Sequence, residues 1–200
     1  YALEGAIFVT GSAVQWLRDG LGIIENASET EEMALSVPNS AGVVFVPALT
    51  GLGAPDWDPN ARGAIFGLTR GATAAHVVRA TLEAIAFEVR DVVDVMVNEA
   101  DVELPRLTVD GGAAANNFLC QVQADQVRVP VVRSEILETT GLGAAFLAGL
   151  GTGFWPNKEE LAKSWRSDRT FEPGDRDEQA HRRWRVAVER TKNWATAASK

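Results

Sequence analysis

The chain has 200 residues, 46% hydrophobic and 23% charged, a length that suits one domain and a balance that argues against a disordered chain. A formal net charge of −8 argues against a nucleic-acid or membrane-surface partner, and no apolar run reaches the roughly 18 residues of a membrane span. The single cysteine, Cys120, excludes an internal disulfide, and with two histidines, His76 and His181, far apart, no structural metal site is expected.

Charge is unevenly distributed. Residues 1–155 carry 8 arginines, no lysine and 19 acids, whereas residues 156–200 carry 11 basic and 8 acidic side chains. The first lysine is Lys158, so the preceding chain holds neither a Walker A loop nor a Schiff-base lysine. The basic tail reads as a solvated helix face. Beginning at Tyr1 without a basic-then-apolar leader, the chain is expected to be a fragment or a processed product.

In chain order, Tyr1–Phe8 reads as a strand. Gly11–Leu21 reads as a helix with Val14, Leu17 and Leu21 on one stripe. Ser28–Val37 reads as a second helix, capped by Ser28, with Glu29, Glu31 and Glu32 suited to its positive end. Val43–Val46 is short and wholly apolar, as in a strand covered on both faces. An irregular loop follows over Ala48–Arg62. Thr73 to about Ala100 is the longest helix, with Val78, Leu82, Ile85, Val89, Val92 and Met96 on one face and His76 placed to complete a cap with Thr73. Leu107–Asp110 is a strand stopped by Gly111 and Gly112; Asn116–Gln126 is a helix, Val129–Arg133 a strand and Thr140–Leu150 a helix. Thr170 and Phe171 form a short edge strand, and Asp177–Ala197 closes the chain as a helix. This alternation indicates an α/β layer structure. Gly151–Asn157, where the composition turns basic, reads as a loop within one domain. The segment 151–200 is expected to pack back on the same sheet, anchored by Trp155, Trp165, Trp184 and Trp194.

Two strand-to-helix junctions stand out chemically. In Leu107–Asn117 an apolar strand runs into two glycines and a helix start, where backbone approaches a ligand closely and amide groups point outward. Gly11–Gln15 is a second such junction, with Gln15 one turn into the helix. The first is no dinucleotide fingerprint, since it lacks Gly-x-Gly-x-x-Gly. Gly141, Gly143, Ala144, Ala148 and Gly151 read as small residues that permit close helix packing. Asp56, Asp58 and Arg62 offer an acid–base pair but more simply tie their loop to itself, and Glu83 is spaced to pair with Arg79.

Gly63-Ala-Ile-Phe-Gly-Leu68, followed after seven residues by His76-Val-Val-Arg-Ala-Thr-Leu-Glu83, resembles the second signature of the FGGY carbohydrate kinases. Tyr1–Gly5, Gln15–Asp19, Thr50–Pro55, Ala61–Arg70, Val109–Leu119 and Leu142–Gly149 are similar, in the same order, to family members that phosphorylate glycerol. The resemblance weakens after about Trp155. It implies an α/β, ribonuclease-H-like fold of the actin-type ATPase superfamily, a mixed sheet flanked by helices. Residues 1–200 would be the C-terminal nucleotide-binding domain, with the N-terminal substrate domain absent. It further implies ATP with Mg2+ as cofactors, ATP/ADP and glycerol as ligands, a cytoplasmic setting and a homo-oligomer at full length. The implied ATP-binding residues are Gly11, Gln15, Gly112 and Asn116. The family's catalytic aspartate, its glycerol-holding side chains and its phosphate loop would lie upstream of Tyr1, so no catalytic residue is expected here. Asp56, before Trp57, stands where many relatives carry an aromatic residue, and Gly141 where alanine is common. A kinase for another polyol or sugar, and a non-catalytic actin-like nucleotide-binding module, remain alternatives.

Overall fold

The computed structural model describes residues 2–197. The elements are α1 (Gly11–Asp19), α2 (Glu29–Leu35), β1 (Val44–Val46), β2 (Ala64–Phe66), α3 (Ala74–Ala100), β3 (Leu107–Val109), a 3-10 turn (Gly112–Ala115), α4 (Asn117–Val127), β4 (Val131–Ser134), α5 (Thr139–Thr152), α6 (Lys158–Ala162), β5 (Ser167–Phe171), α7 (Glu178–Thr191) and α8 (Trp194–Ala197).

The central beam is α3, whose 27 residues span about 40 Å. Its apolar stripe does what the spacing requires: Val78, Leu82, Ile85 and Val92 are buried, and α1, α2, α4 and β1 pack along the helix. Its start is closed as expected, with the Thr73 N–H donating to His76 Nδ1 at 3.1 Å and satisfying one otherwise orphaned amide. At the other end Asp101 takes the left-handed conformation (φ 50°) in which glycine is more usual.

Two sheets flank this beam. β1 pairs antiparallel with β2, Val44 opposite Phe66. All three β1 residues are buried, covered by α3 and α7 as the uninterrupted apolar run requires. The second sheet has the order β3-β4-β5. β3 runs parallel to β4, Leu107 opposite Val131, and β5 runs antiparallel, Phe171 opposite Val131, so the sheet is mixed. β5 is the expected edge strand, extended to five residues, and it returns the basic C-terminal segment to the body.

α7 continues that return. His181, Trp184, Ala187, Val188 and Thr191 are buried at helical spacing. The Trp184 indole, 2% exposed, donates to the Phe45 carbonyl at 3.1 Å. Of the four tryptophans expected to anchor this segment, Trp184 alone lies on that stripe. Trp165 and Trp194 are 38% and 61% exposed, and Trp155 lies against Gly149 just before it in sequence. The tail is also less solvated than its charge suggests. Arg185 binds Asp56 at 2.8 Å and Asp91 at 2.9 Å, Lys192 reaches Asp56 at 2.7 Å, and His181 Nε2 lies 2.7 Å from Asp91. Burial pushes the Asp56 carboxyl up, but Arg185 and Lys192 outweigh it and hold it below the usual range. Beside them Glu88 is buried with Oε2 unpartnered. Burial, reinforced by the charges of Asp91 and Asp56, pushes its pKa up to about 8, so Glu88 carries a proton at neutral pH.

Four sequence expectations are corrected. Residues 2–8 form no strand, because a strand needs a ladder and among the described residues the segment makes only an isolated backbone hydrogen bond, the Ala54 N–H donating to the Ala6 carbonyl at 2.8 Å; Tyr1 lies outside the described residues. The first helix ends at Asp19, and Leu21 is 43% exposed rather than on its buried stripe. Ser28 has helical dihedrals and makes no side-chain cap; instead Glu29 turns back to accept the Asn26 N–H at 2.8 Å. Gly141, Gly143 and Gly151 meet no closely packed helix among the described residues, since no residue of α5 is buried and a methyl group at Gly143 or Gly151 would meet nothing within 4 Å. Among the described residues no helix is long and apolar enough to cross a membrane.

Candidate nucleotide site

The strand-to-helix junction after β3 is built by glycine geometry. Gly111 sits at φ 80°, a backbone region that penalises side chains, and turns the chain out of the sheet. The 3-10 turn from Gly112 to Ala115 then leads to Asn116, which caps α4 by accepting the Leu119 N–H at 2.8 Å. Arg133 of β4 clamps the turn from beneath, donating to the carbonyls of Ala114 at 3.0 Å and Ala115 at 3.2 Å.

The start of α1 lies beside this junction: a methyl group at Gly11 would touch Ala113 at 3.8 Å, an ordinary contact. Between the two junctions opens a cavity of about 640 Å³, within the size range of small-molecule sites. Gly11, Gln15, Gly112 and Asn116, the four residues singled out from the sequence, all line it. Val14, Leu82, Ala113 and Leu119 supply apolar lining suited to a flat base. A methyl group added at Gly112 would meet no protein atom within 4 Å, so it would enter open space.

The polar groups are few and defined. Asn116 Nδ2 donates to Thr30 Oγ1 at 3.0 Å and Oδ1 accepts from Leu119; one N–H and one lone pair stay available to a ligand. Gln15 makes no protein hydrogen bond among the described residues. Arg18 reaches the lining with its guanidinium held by Asp19 at 2.7 Å. The amides at the start of α4 are less free than the sequence suggested. Asn116 takes that of Leu119, and Glu31 takes that of Asn117 at 2.7 Å. This end of the cavity therefore suits an uncharged base or ribose better than a phosphate.

One wall escaped the sequence reading. Ala27, Ser28, Thr30 and Glu31, from α2 and the turn before it, also line the cavity. Their acids read only as complements to a helix dipole, and no local pattern shows that a seven-residue helix will reach the start of α4. The loop carboxylates, by contrast, form no acid–base pair. Asp56 faces α7, and Asp58 accepts the N–H groups of Asn60 at 2.8 Å and Asn193 at 2.7 Å. The loop is thus tied both to itself and to the C-terminal segment. Glu83 pairs with Arg79 at 2.8 Å, as its spacing requires.

Comparison with known proteins extends this picture. The profile of the C-terminal domain of the FGGY family of carbohydrate kinases matches residues 1–152. Glycerol kinase 2 of Thermotoga maritima is 57% identical over 197 residues, covering 97% of this chain and 40% of its own length. The glycerol kinase of Aromatoleum aromaticum is 60% identical over 200 residues, covering 98% and 40%. The chain thus spans about two-fifths of the length of these relatives. Among solved structures, Plasmodium falciparum glycerol kinase with ADP superposes at a TM-score of 0.81 and 35% identity, covering 92% of this chain and 37% of that one. The mixed sheet flanked by helices agrees with the actin-type ATPase architecture expected from the resemblance. With the family profile over three-quarters of its residues, the chain belongs to the FGGY family of carbohydrate kinases, as a C-terminal domain.

Proposed function

We propose that this chain is the ATP-binding part of a glycerol kinase, which transfers the γ-phosphate of ATP to glycerol to give glycerol 3-phosphate and ADP. The observation that carries the reading is the convergence of Gly11, Gln15, Gly112 and Asn116 on one cavity of nucleoside size. The high identity to relatives named glycerol kinases supports glycerol over other polyols. The base and ribose lie between Gly112–Asn116 and the start of α1, the base edge meeting the open donor and acceptor of Asn116 and the amide of Gln15. The phosphates extend away from the α4 start, where Glu31 and Asn116 already occupy two amides.

Among the described residues no three His, Cys, Asp or Glu side chains converge as a metal cage; Mg2+ is read as arriving on the ATP phosphates. The groups that hold glycerol and accept its hydroxyl proton belong to the remaining length of the kinase. The whole chain is read as one nucleotide-binding unit of a cytoplasmic enzyme that assembles as a homo-oligomer. A coupled ADP-release assay on the full-length protein containing this segment tests the reading. ATP-dependent turnover with glycerol exceeding that with a panel of other polyols and sugars is the expected result. Turnover of a different polyol alone replaces the substrate, and ATP binding without any turnover supports a non-catalytic module.

A further inference from the structure

We infer that Glu31 is a positioning residue for the nucleotide base: it fixes the start of α4, and through it Asn116. The inference rests on the nucleotide reading of the cavity. Glu31 belongs to α2, yet its carboxylate closes a two-pronged contact on Asn117. One oxygen accepts the backbone N–H at 2.7 Å and the other accepts the side-chain Nδ2 at 2.9 Å. Asn117 in turn accepts through Oδ1 from Arg133 at 3.1 Å, and Arg133 is held by Asp168 of β5 at 2.7 Å. Asn117 is thus gripped from α2 on one side and from the sheet on the other. Its neighbour Asn116 is the residue that faces the cavity.

Thr30, one residue before Glu31 and 1% exposed, accepts from Asn116 Nδ2 at 3.0 Å and donates to the Ala27 carbonyl at 2.6 Å. Two successive α2 side chains therefore set two successive residues at the α4 start. The Thr30 contact selects which Asn116 hydrogen is used internally, leaving the other for a ligand. The Glu31 contact fixes the peptide plane that follows. Charge-assisted acceptance of a backbone N–H is among the stronger hydrogen bonds, so Glu31 is the firmer of the two holds. Its carboxylate also neutralises the positive end of α4, which keeps anionic phosphate from competing with the base there.

The experiment uses the full-length kinase containing this segment, with Glu31→Ala, Glu31→Gln, Glu31→Asp and a reference variant, Gln15→Ala. Steady-state constants are measured with ATP and with GTP, whose base differs at the edge Asn116 would read. Glu31→Ala is expected to raise KM for ATP about tenfold, the scale of one strong hydrogen bond, with kcat and KM for glycerol changed less than about twofold. The preference for ATP over GTP should narrow by a similar factor, because a loosened Asn116 no longer discriminates. Glu31→Gln keeps an oxygen for the Asn117 amide and should retain most of the preference. Glu31→Asp, one methylene shorter, should lose it; should the alanine variant not fold, this variant carries the same test. An unchanged nucleotide preference, or equal loss with both nucleotides together with a lower kcat, overturns the positioning role while Gln15→Ala still weakens ATP. If Gln15→Ala and the Glu31 variants all leave KM for ATP unmoved, the nucleotide reading falls, and the positioning role with it.

Discussion

Gly112→Val separates a ligand-binding role for the glycine pair from a purely structural one, because the two glycines differ in what they demand. Gly112 has no positive φ, and an added methyl would meet nothing within 4 Å. Valine there should fold, since its helical propensity is no poorer than that of glycine and the backbone at this position suits any residue. Its two methyl groups would stand in the cavity lined by Gln15 and Asn116. Displacing a base from that volume, or forcing it to shift, carries the cost of overpacking, about 1–3 kcal/mol, equivalent to a roughly 5- to 150-fold loss in ATP affinity. Gly111→Val makes the opposite case: its φ of 80° strains any side chain, so stability falls by about 1–3 kcal/mol, although an added methyl has open space. Calorimetric titration of the full-length kinase with ATP and with glycerol, alongside urea unfolding, distinguishes them. Gly112→Val should fold, lose ATP affinity and keep glycerol affinity. A variant that folds and binds ATP like the parent would refute the site.

Three other outcomes are expected. Glu88, held protonated by burial with a pKa of about 8 against 4.5 for an ordinary glutamate, lowers stability as pH rises through that interval, because the unfolded chain ionises first. Glu88→Gln should therefore gain on the parent by several kcal/mol, on the order of 3–5, between pH 5 and pH 9; a difference in urea-unfolding free energy that is flat with pH contradicts the protonated assignment. Asp56 is held below the usual carboxylate range, so its contribution is present above the unfolded pKa of 3.8 and disappears as pH falls through the depressed folded value. Asp56→Asn should cost up to about 1 kcal/mol at neutral pH, discounted for the partly exposed Arg185 and Lys192, and progressively less as pH falls below 3.8, as read by thermal unfolding. The 200-residue chain by itself should show no ADP release with glycerol and Mg-ATP, since catalytic groups act as a unit and their loss removes many powers of ten; turnover near the ~10 s⁻¹ of a median enzyme would place catalytic residues inside it.

Local pattern determined a good deal. The α3 stripe, the buried β1 run, the glycine turn after β3 and the Thr73–His76 cap are properties of neighbours within a few residues, where periodicity and backbone preference act directly. The two helix starts at Gly11 and after Gly111-Gly112 were legible from local glycine and helix-start patterns, and the family resemblance then singled out Gly11, Gln15, Gly112 and Asn116. That these two junctions share one cavity was a matter of resemblance until the tertiary structure placed α1 against the 3-10 turn. What only the tertiary structure decided depends on contacts of long sequence separation. Glu31 meets Asn117 across 86 positions, and Arg185 meets Asp56 across 129. No short-range spacing encodes such partners, so Glu31 read as a dipole complement and Asp56 as a loop tie. The strand expected at residues 2–8 failed for the same reason: alternation proposes an extended segment, but only a paired neighbour makes it a strand.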